Sequence, residues 1–290
     1  MISDLLKNTK PFGKLVAFFV IFFAFLMIST AVPILIGGDN EDLNVLKWSQ
    51  VAIQIISFLF SSVLFCILYY GKPKRFFQIN GSFRVLKLSM LAAIVMILLV
   101  PLTDWLTVWN DGLHFNGNLK SVEDALRMSS SKSEALMLRF LDVDNVGMLL
   151  FNLLVLALVP AFCEEFFFRG ALQNVFADCF SSHHLSIILT ASLFSVFHGE
   201  LFAFLPRFFL GLVLGYLYYY GKSIWVNVVA HFVNNALIVV LSFLHGLNVI
   251  GYSPEEPLHL SWMWTVLCTM SASLIMVCYF FPNQSTKCSK

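Results

Sequence analysis

The amino-acid sequence predicts an all-α protein: a polytopic transmembrane helical bundle of about eight spans. Three observations lead there. Hydrophobic residues make up 59% of the 290 positions and charged residues only 12%, against roughly 25% charged in an ordinary globular domain. The apolar residues fall in long stretches separated by short polar connectors. Eight spans of about 20 residues need roughly 160 apolar-dominated positions; 59% of 290 is about 171, which leaves little for a soluble core.

The stretches run approximately Leu15–Ile36, Trp48–Tyr70, Leu86–Val108, Val146–Phe168, Leu185–Phe197, Phe202–Tyr220, Val226–Leu244 and Ser261–Phe281. Lys7, Lys10 and Lys14 precede the first as in a signal peptide. Its apolar run is too long for one and no small-x-small cleavage site follows, so an uncleaved anchor is expected. The fifth is the weakest span, being short and interrupted by Thr190, Ser192 and Ser195. Between the third and fourth, positions 110–145 form the one sizeable polar segment. There Ser121 with Asp124, and Ser133-Glu134 ahead of Ala135–Leu141, predict one or two amphipathic helices on the outer surface. The whole chain, 1–290, is expected to be a single membrane domain with its polar motifs concentrated in 146–244.

Charge placement sets the expected orientation. With the N-terminus inside, inner segments carry Lys7, Lys10, Lys14, Lys72, Lys74, Arg75, Arg84, Lys87, Lys222, Lys287 and Lys290, whereas the short outer loops carry mainly Lys47 and Arg207. This asymmetry places an even-span protein in the cytoplasmic membrane with both termini inside. The formal net charge of +1 and the absence of a basic run argue against a nucleic-acid partner. Six cysteines (Cys66, Cys163, Cys179, Cys268, Cys278 and Cys288) include no CxxC pair and read as small apolar side chains. Cys288 stands one place wrong for a C-terminal prenylation box. The 31 phenylalanines are expected mainly to face lipid or fill packing space, and Gly211 with Gly215 to form a close helix-packing face.

An ionisable side chain in hydrocarbon costs several kcal/mol unless paired or hydrated, so each marks a candidate site. Three clusters qualify. In Glu164-Glu165-Phe166-Phe167-Phe168-Arg169, Glu165 and Arg169 lie at i, i+4 with the acid first, the favourable order for an ion pair. Glu164 is turned roughly 100° away and needs water, a proton or a metal. In Phe194-Ser195-Val196-Phe197-His198, Phe194 can pack on the imidazole one turn later; alone, His198 reads equally well as a helix–helix hydrogen bond. In His231-Phe232-Val233-Asn234-Asn235, His231 and Asn235 share a face and suit a developing oxyanion, or else form an interhelical clasp. His183 and His184 fall in an inner loop and His114, His245 and His259 outside, all more in keeping with the interface than with chemistry.

Taken in order, Glu-Glu-x-x-x-Arg, Phe-x-x-x-His and His-x-x-x-Asn resemble the pattern of the CPBP (CAAX-protease and bacteriocin-processing, Abi-like) family of intramembrane proteases, over roughly 146–244. The resemblance implies an intramembrane endopeptidase whose substrates are peptides or membrane proteins, prenylated CAAX tails among them. It implies that Glu164 activates water with help from His198, that His231 and Asn235 polarise the scissile carbonyl, and that Glu165 and Arg169, with Phe194, support the motif. It leaves the metal open: Glu164, His198 and His231 are a conceivable three-ligand zinc set, while Asn235 is a poor zinc ligand and a good oxyanion donor, which favours a metal-free site.

The residues themselves also narrow the chemistry. Neither Gly-x-Ser-x-Gly nor His-Glu-x-x-His occurs, which disfavours a serine hydrolase or a soluble-type zincin and leaves attack by activated water. Two non-enzymatic readings compete. A proton-coupled transporter would use Glu164, His198 and His231 as a relay, yet the polar groups lie in one half of the chain, unlike the paired broken helices of transporters. A membrane immunity or chaperone factor would bind without catalysis. If the enzymatic reading holds, Glu164, His198, His231 and Asn235 must converge on one polar intramembrane cavity. Simple helix rise sets His231 about 13 Å and His198 about 20 Å from the inner surface. Convergence therefore requires the fourth helix to continue past Arg169 towards Ala177 and the fifth to tilt or sit low.

Overall fold

A computed structural model describes residues 6–36, 42–253, 256–258 and 260–281; Cys288, Lys287, Lys290 and His259 lie outside the described residues. All regular structure among them is helical. The helices are α1 (Pro11–Ser29), α2 (Leu43–Tyr69), α3 (Phe83–Asp111), α4 (Lys120–Leu141), α5 (Val146–Phe180), α6 (His183–Phe197), α7 (Leu201–Gly221), α8 (Ile224–Gly246) and α9 (Trp262–Phe280).

Seven of these are long and apolar enough to cross a membrane; α6, with 15 residues, is not. Of the eight expected spans, seven are candidates by length and composition, and α6 is apolar but short. At 1.5 Å per residue α6 reaches only about 22 Å, short of a hydrocarbon core of about 30 Å. It nevertheless runs antiparallel to its neighbours. At one end of the bundle, Lys14 lies over Tyr70 (4.4 Å), Asn174 Nδ2 donates to the Phe76 carbonyl (3.0 Å), Asn80 Nδ2 to the Lys222 carbonyl (2.7 Å), and His184 Nδ1 meets the Tyr216 hydroxyl (2.9 Å). At the other end, Asn110 Nδ2 donates to the Leu201 carbonyl (3.1 Å), and its Oδ1 accepts from the Leu205 amide (2.7 Å). The short α6 thus begins at the first end, and its Ser195 hydroxyl donates to the Phe204 carbonyl of α7. His183 and His184 form its first turn rather than a loop, behind an N-cap in which Ser182 accepts from the Leu185 amide.

Helix α5 is the longest, 35 residues, and continues to Phe180 rather than stopping at Phe168. Pro160 interrupts its ladder. Proline has no N–H to donate and its ring crowds the carbonyl four residues back. The turns just before it, Leu153–Leu158, widen into π-helix, one of the ways a helix absorbs such a defect. A second π segment, Phe166–Gln173, carries Arg169, and a third, Gln54–Phe60, lies in α2. Of the one or two helices expected before α5, the segment holds one continuous helix, α4. Its N-cap is Leu119, without a side-chain cap, so the Ser121 and Asp124 signal does not mark its start.

The core between α1, α2, α5 and α6 is aromatic. Phe18, Phe22, Phe65, Phe77, Phe167 and Phe168 are all buried, and Phe167 packs against Phe18, Phe22 and Phe58 at centroid distances of 4.9, 4.8 and 5.0 Å. Many phenylalanines thus pack inward, away from lipid. The two glycines form a close approach as expected: a Cβ at Gly211 would stand 3.0 Å from the Ala191 Cα of α6, and one at Gly215 2.6 Å from Ile187 Cγ2. The described cysteines are free. Lys47 does not sit in a loop: it lies inside α2, 4% exposed, where its ammonium donates to the Phe140 carbonyl (3.1 Å) and Asn152 Oδ1 (2.8 Å). That anchors the end of α4 against α2 and α5.

Candidate active site

Glu164 and Glu165 sit in the last α-helical turn of α5 before its second π segment. Both are buried, at 6% and 0% exposure. Neighbours on a helix point about 100° apart, so the two carboxylates face different partners, and the partners give them different characters.

Glu165 is saturated with donors. Arg169 Nη1 donates to its Oε1 at 2.7 Å, His231 Nδ1 to the same oxygen at 2.8 Å, and Asn227 Nδ2 to Oε2 at 3.2 Å. The Arg169 guanidinium is itself fully buried, donates from Nη2 to the Gly211 carbonyl (3.3 Å) and lies 4.6 Å from the centre of the Phe194 ring. The absence of a side chain at Gly211 lets α7 bring its carbonyl to that guanidinium. The expected i, i+4 pair is present, and it has a further consequence. By taking Nδ1–H, Glu165 sets the orientation of the His231 ring and turns Nε2 the other way, the usual effect of a carboxylate on a functional imidazole.

Glu164 is the opposite case. Its Oε1 accepts from Gln54 Nε2 of α2 at 2.9 Å. Its Oε2 is buried and has no hydrogen-bond partner among the described residues. That oxygen stands 3.9 Å from His231 Nε2, too far for a direct hydrogen bond. A buried carboxylate oxygen costs free energy unless a donor or water reaches it, and none of the described side chains supplies that donor.

Phe194 links the third cluster. Its ring meets His198 at 4.8 Å and His231 at 5.8 Å between centroids, edge-on in both cases. His198 caps the C-terminus of α6 and is exposed. Its Nδ1–H donates to the Phe194 carbonyl (2.7 Å), which leaves Nε2 as the free ring nitrogen. The structure thus brings Glu164, Glu165, Arg169, Phe194 and His231 into one connected group, with His198 joined through Phe194. Asn235 stands one turn beyond His231, half-buried, and its Oδ1 accepts from Asn234 Nδ2 (3.2 Å). None of the described hydrogen bonds joins it to the two glutamates or the two histidines.

Among the described residues no group of three His, Cys, Asp or Glu is arranged to hold a metal ion. His231 gives Nδ1–H to Glu165 and His198 gives Nδ1–H to a main-chain carbonyl, which leaves both Nε2 atoms open, an arrangement also found around metal-bound histidines. Sequence reasoning missed Gln54 and Asn227. A signal existed for both: Gln54 is a carboxamide inside an otherwise apolar stretch, and Asn227 precedes His231 by four residues, on the same helix face.

Residues 146–237 match the profile of one protein family, described as type II CAAX prenyl endopeptidase Rce1-like. No curated protein and no solved structure matches the chain. The matched stretch contains every residue of the connected group except Gln54.

Proposed function

From a chain whose residues 146–237 match the Rce1-like type II CAAX prenyl endopeptidase family, we propose an intramembrane endopeptidase that hydrolyses a peptide bond with water activated by Glu164. The observation that carries this reading is the buried, unpartnered Glu164 Oε2 facing His231 Nε2 across 3.9 Å. A general base must keep one oxygen open for the proton it will take, and an acid or oxyanion donor must stand within reach of the same reacting group.

In the proposed mechanism Glu164 Oε2 takes a proton from water as the water oxygen attacks the scissile carbonyl carbon. The free Nε2 of His198 assists from the accessible side. His231, held by Glu165 and protonated at Nε2, donates to the carbonyl oxygen as negative charge develops there, and Asn235 contributes a second donor. Collapse of the tetrahedral adduct breaks the C–N bond, and Glu164 returns its proton to the leaving amine. Gln54 holds the other oxygen of Glu164, and Arg169 holds Glu165, so neither carboxylate swings between roles. Substrates on this reading are peptides or membrane-protein segments, lipidated tails included, that reach the exposed His198 from the bilayer. The cation-rich end, with Lys14, Lys72, Lys74, Arg75, Arg84, Lys87 and Lys222, is assigned to the cytoplasmic side together with the start of α1 and the end of α9.

The test is single-turnover cleavage by the purified full-length chain in lipid nanodiscs, with candidate substrates drawn from membrane-protein termini that differ between wild-type and Glu164→Ala cells. Glu164→Gln keeps the acceptor for Gln54 and removes the base; it should retain the wild-type melting temperature and lose turnover by at least about 100-fold. Turnover close to wild type would exclude Glu164 as the base. Activity should also persist in a strong chelator; reversible loss with about one equivalent of zinc bound would replace the glutamate–water reading with a metallopeptidase one.

A further inference from the structure

The cation-rich end holds a feature outside the catalytic group. A cavity of about 600 Å³ opens there between the α2–α3 connector and the α7–α8 connector. Lys72, Lys74, Arg75 and Lys222 line it, with the amides Gln78 and Asn80, and no carboxylate does. None of the four cations forms an ion pair among the described residues. Asp178, the acid packed nearby on α5, is occupied by the Tyr70 hydroxyl (2.7 Å). Four unpaired positive charges around one cavity repel one another, and the arrangement is relieved by an anion between them.

The cavity is open to solvent, but its walls are held in place. Its two walls are tied by three hydrogen bonds: Asn80 Nδ2 to the Lys222 carbonyl (2.7 Å), the Ser223 hydroxyl to the Asn80 carbonyl (2.9 Å) and the Ile224 amide to the Gln78 carbonyl (3.3 Å). Gln78 and Lys222 both adopt the left-handed conformation, at φ 53° and 55°, which side chains other than glycine seldom occupy unless surrounding structure holds them there. Tyr70 and Tyr219 lie at the same level, the latter under the Lys222 ammonium at 4.2 Å. Tyrosines at the ends of apolar helices mark the headgroup layer of a bilayer. A basic cavity at that depth meets phosphate chiefly as the headgroup of a lipid.

We propose that this cavity binds the phosphate of an anionic phospholipid headgroup, through Lys72, Lys74, Arg75 and Lys222. The site is separate from the proposed peptidase chemistry and stands or falls independently of it.

Native mass spectrometry of the detergent-purified full chain, titrated with phosphatidylglycerol or with phosphatidylcholine, tests the assignment. Lys72, Lys74 and Arg75 are exposed, so Lys72→Gln/Lys74→Gln/Arg75→Gln is expected to fold. It should weaken phosphatidylglycerol binding by about 100-fold, at about fivefold per cation lost, and leave phosphatidylcholine binding unchanged. Lys222→Asn, which keeps a residue tolerant of the left-handed conformation, should cost about fivefold. Lys132→Gln/Arg139→Gln on α4 should change little. Unaltered phosphatidylglycerol binding by the triple variant overturns the proposal. So does an equal loss in the α4 variant, which would mean diffuse attraction, or tighter binding of inorganic phosphate than of the lipid, which would make this a free-phosphate site.

Discussion

Two charges share the buried pair at the centre of the site, yet removing one should not cost the same as removing the other. Arg169→Met leaves Glu165 with two of its three donors, His231 Nδ1 at 2.8 Å and Asn227 Nδ2 at 3.2 Å. Glu165→Gln removes the anion and leaves the Arg169 charge fully buried with neutral acceptors alone, the glutamine amide oxygen and the Gly211 carbonyl at 3.3 Å, while its Nε has no partner among the described residues. Breaking a buried ion pair costs about 3–5 kcal/mol because the remaining charge is stranded. The partners left behind place Arg169→Met near the lower figure and Glu165→Gln near the upper. The double variant should be no less stable than Glu165→Gln alone, because no charge is then stranded. Reversible unfolding in mixed detergent–SDS micelles measures all three. Equal costs for the single variants, or a larger cost for Arg169→Met, would refute the argument from remaining partners. Costs below about 1 kcal/mol in both, the range of exposed pairs, would refute burial of the pair itself.

Three other outcomes are expected. Gln54→Leu strips Glu164 Oε1 of its donor (2.9 Å). A hydrogen bond to a charged group contributes about 1.5–3 kcal/mol, so stability should fall by about that much and turnover of the folded protein by about 10- to 100-fold, and an unchanged kcat would remove Gln54 from the site. Gly211→Ala sets a Cβ 3.0 Å from the Ala191 backbone and should destabilise by about 1–3 kcal/mol through overpacking; since Ala191→Gly removes the facing Cβ, the double variant should recover part of the loss, and a stable single variant would mean that α6 and α7 are not held that close. On α4, the Arg127 guanidinium, with the Phe115 amide and His114, holds the Glu123 carboxyl down to about 2 from its ordinary 4.5. A depressed carboxylate contributes stability above its ordinary value and loses it as pH falls through the interval down to about 2. Protection factors across 111–141, amide exchange corrected for its intrinsic pH dependence, should fall over that interval in the wild type. They should be low and nearly constant there in Glu123→Gln, and a wild-type profile that stays flat would contradict the role given to Glu123.

How far the sequence reached can be argued residue by residue. Helix content, the long spans and the Glu165–Arg169 pair were legible because they depend on short-range physics: hydrocarbon demands runs of about 20 apolar residues, and a helix repeats every 3.6 residues wherever it is placed. The glycine face on α7 was legible for the same reason, since Gly211 and Gly215 share one side of any helix. Four features were settled only by tertiary structure. Whether α6 crosses as a full span depends on where Ser182 caps it and where His198 ends it, and its 15 residues fall short. Lys47, a loop charge by composition, is buried because Asn152 and the Phe140 carbonyl, more than 90 residues away in sequence, come to meet it. The partners of Glu164 and Glu165 were beyond any periodic rule: Gln54 is 110 residues from Glu164, and His231 is 66 residues from Glu165. Which of two adjacent carboxylates is saturated and which keeps an open oxygen is set by the rotation of α2, α5 and α8 against one another. The π turns at Gln54–Phe60, Leu153–Leu158 and Phe166–Gln173 shift that rotation by amounts that the 3.6-residue repeat does not contain.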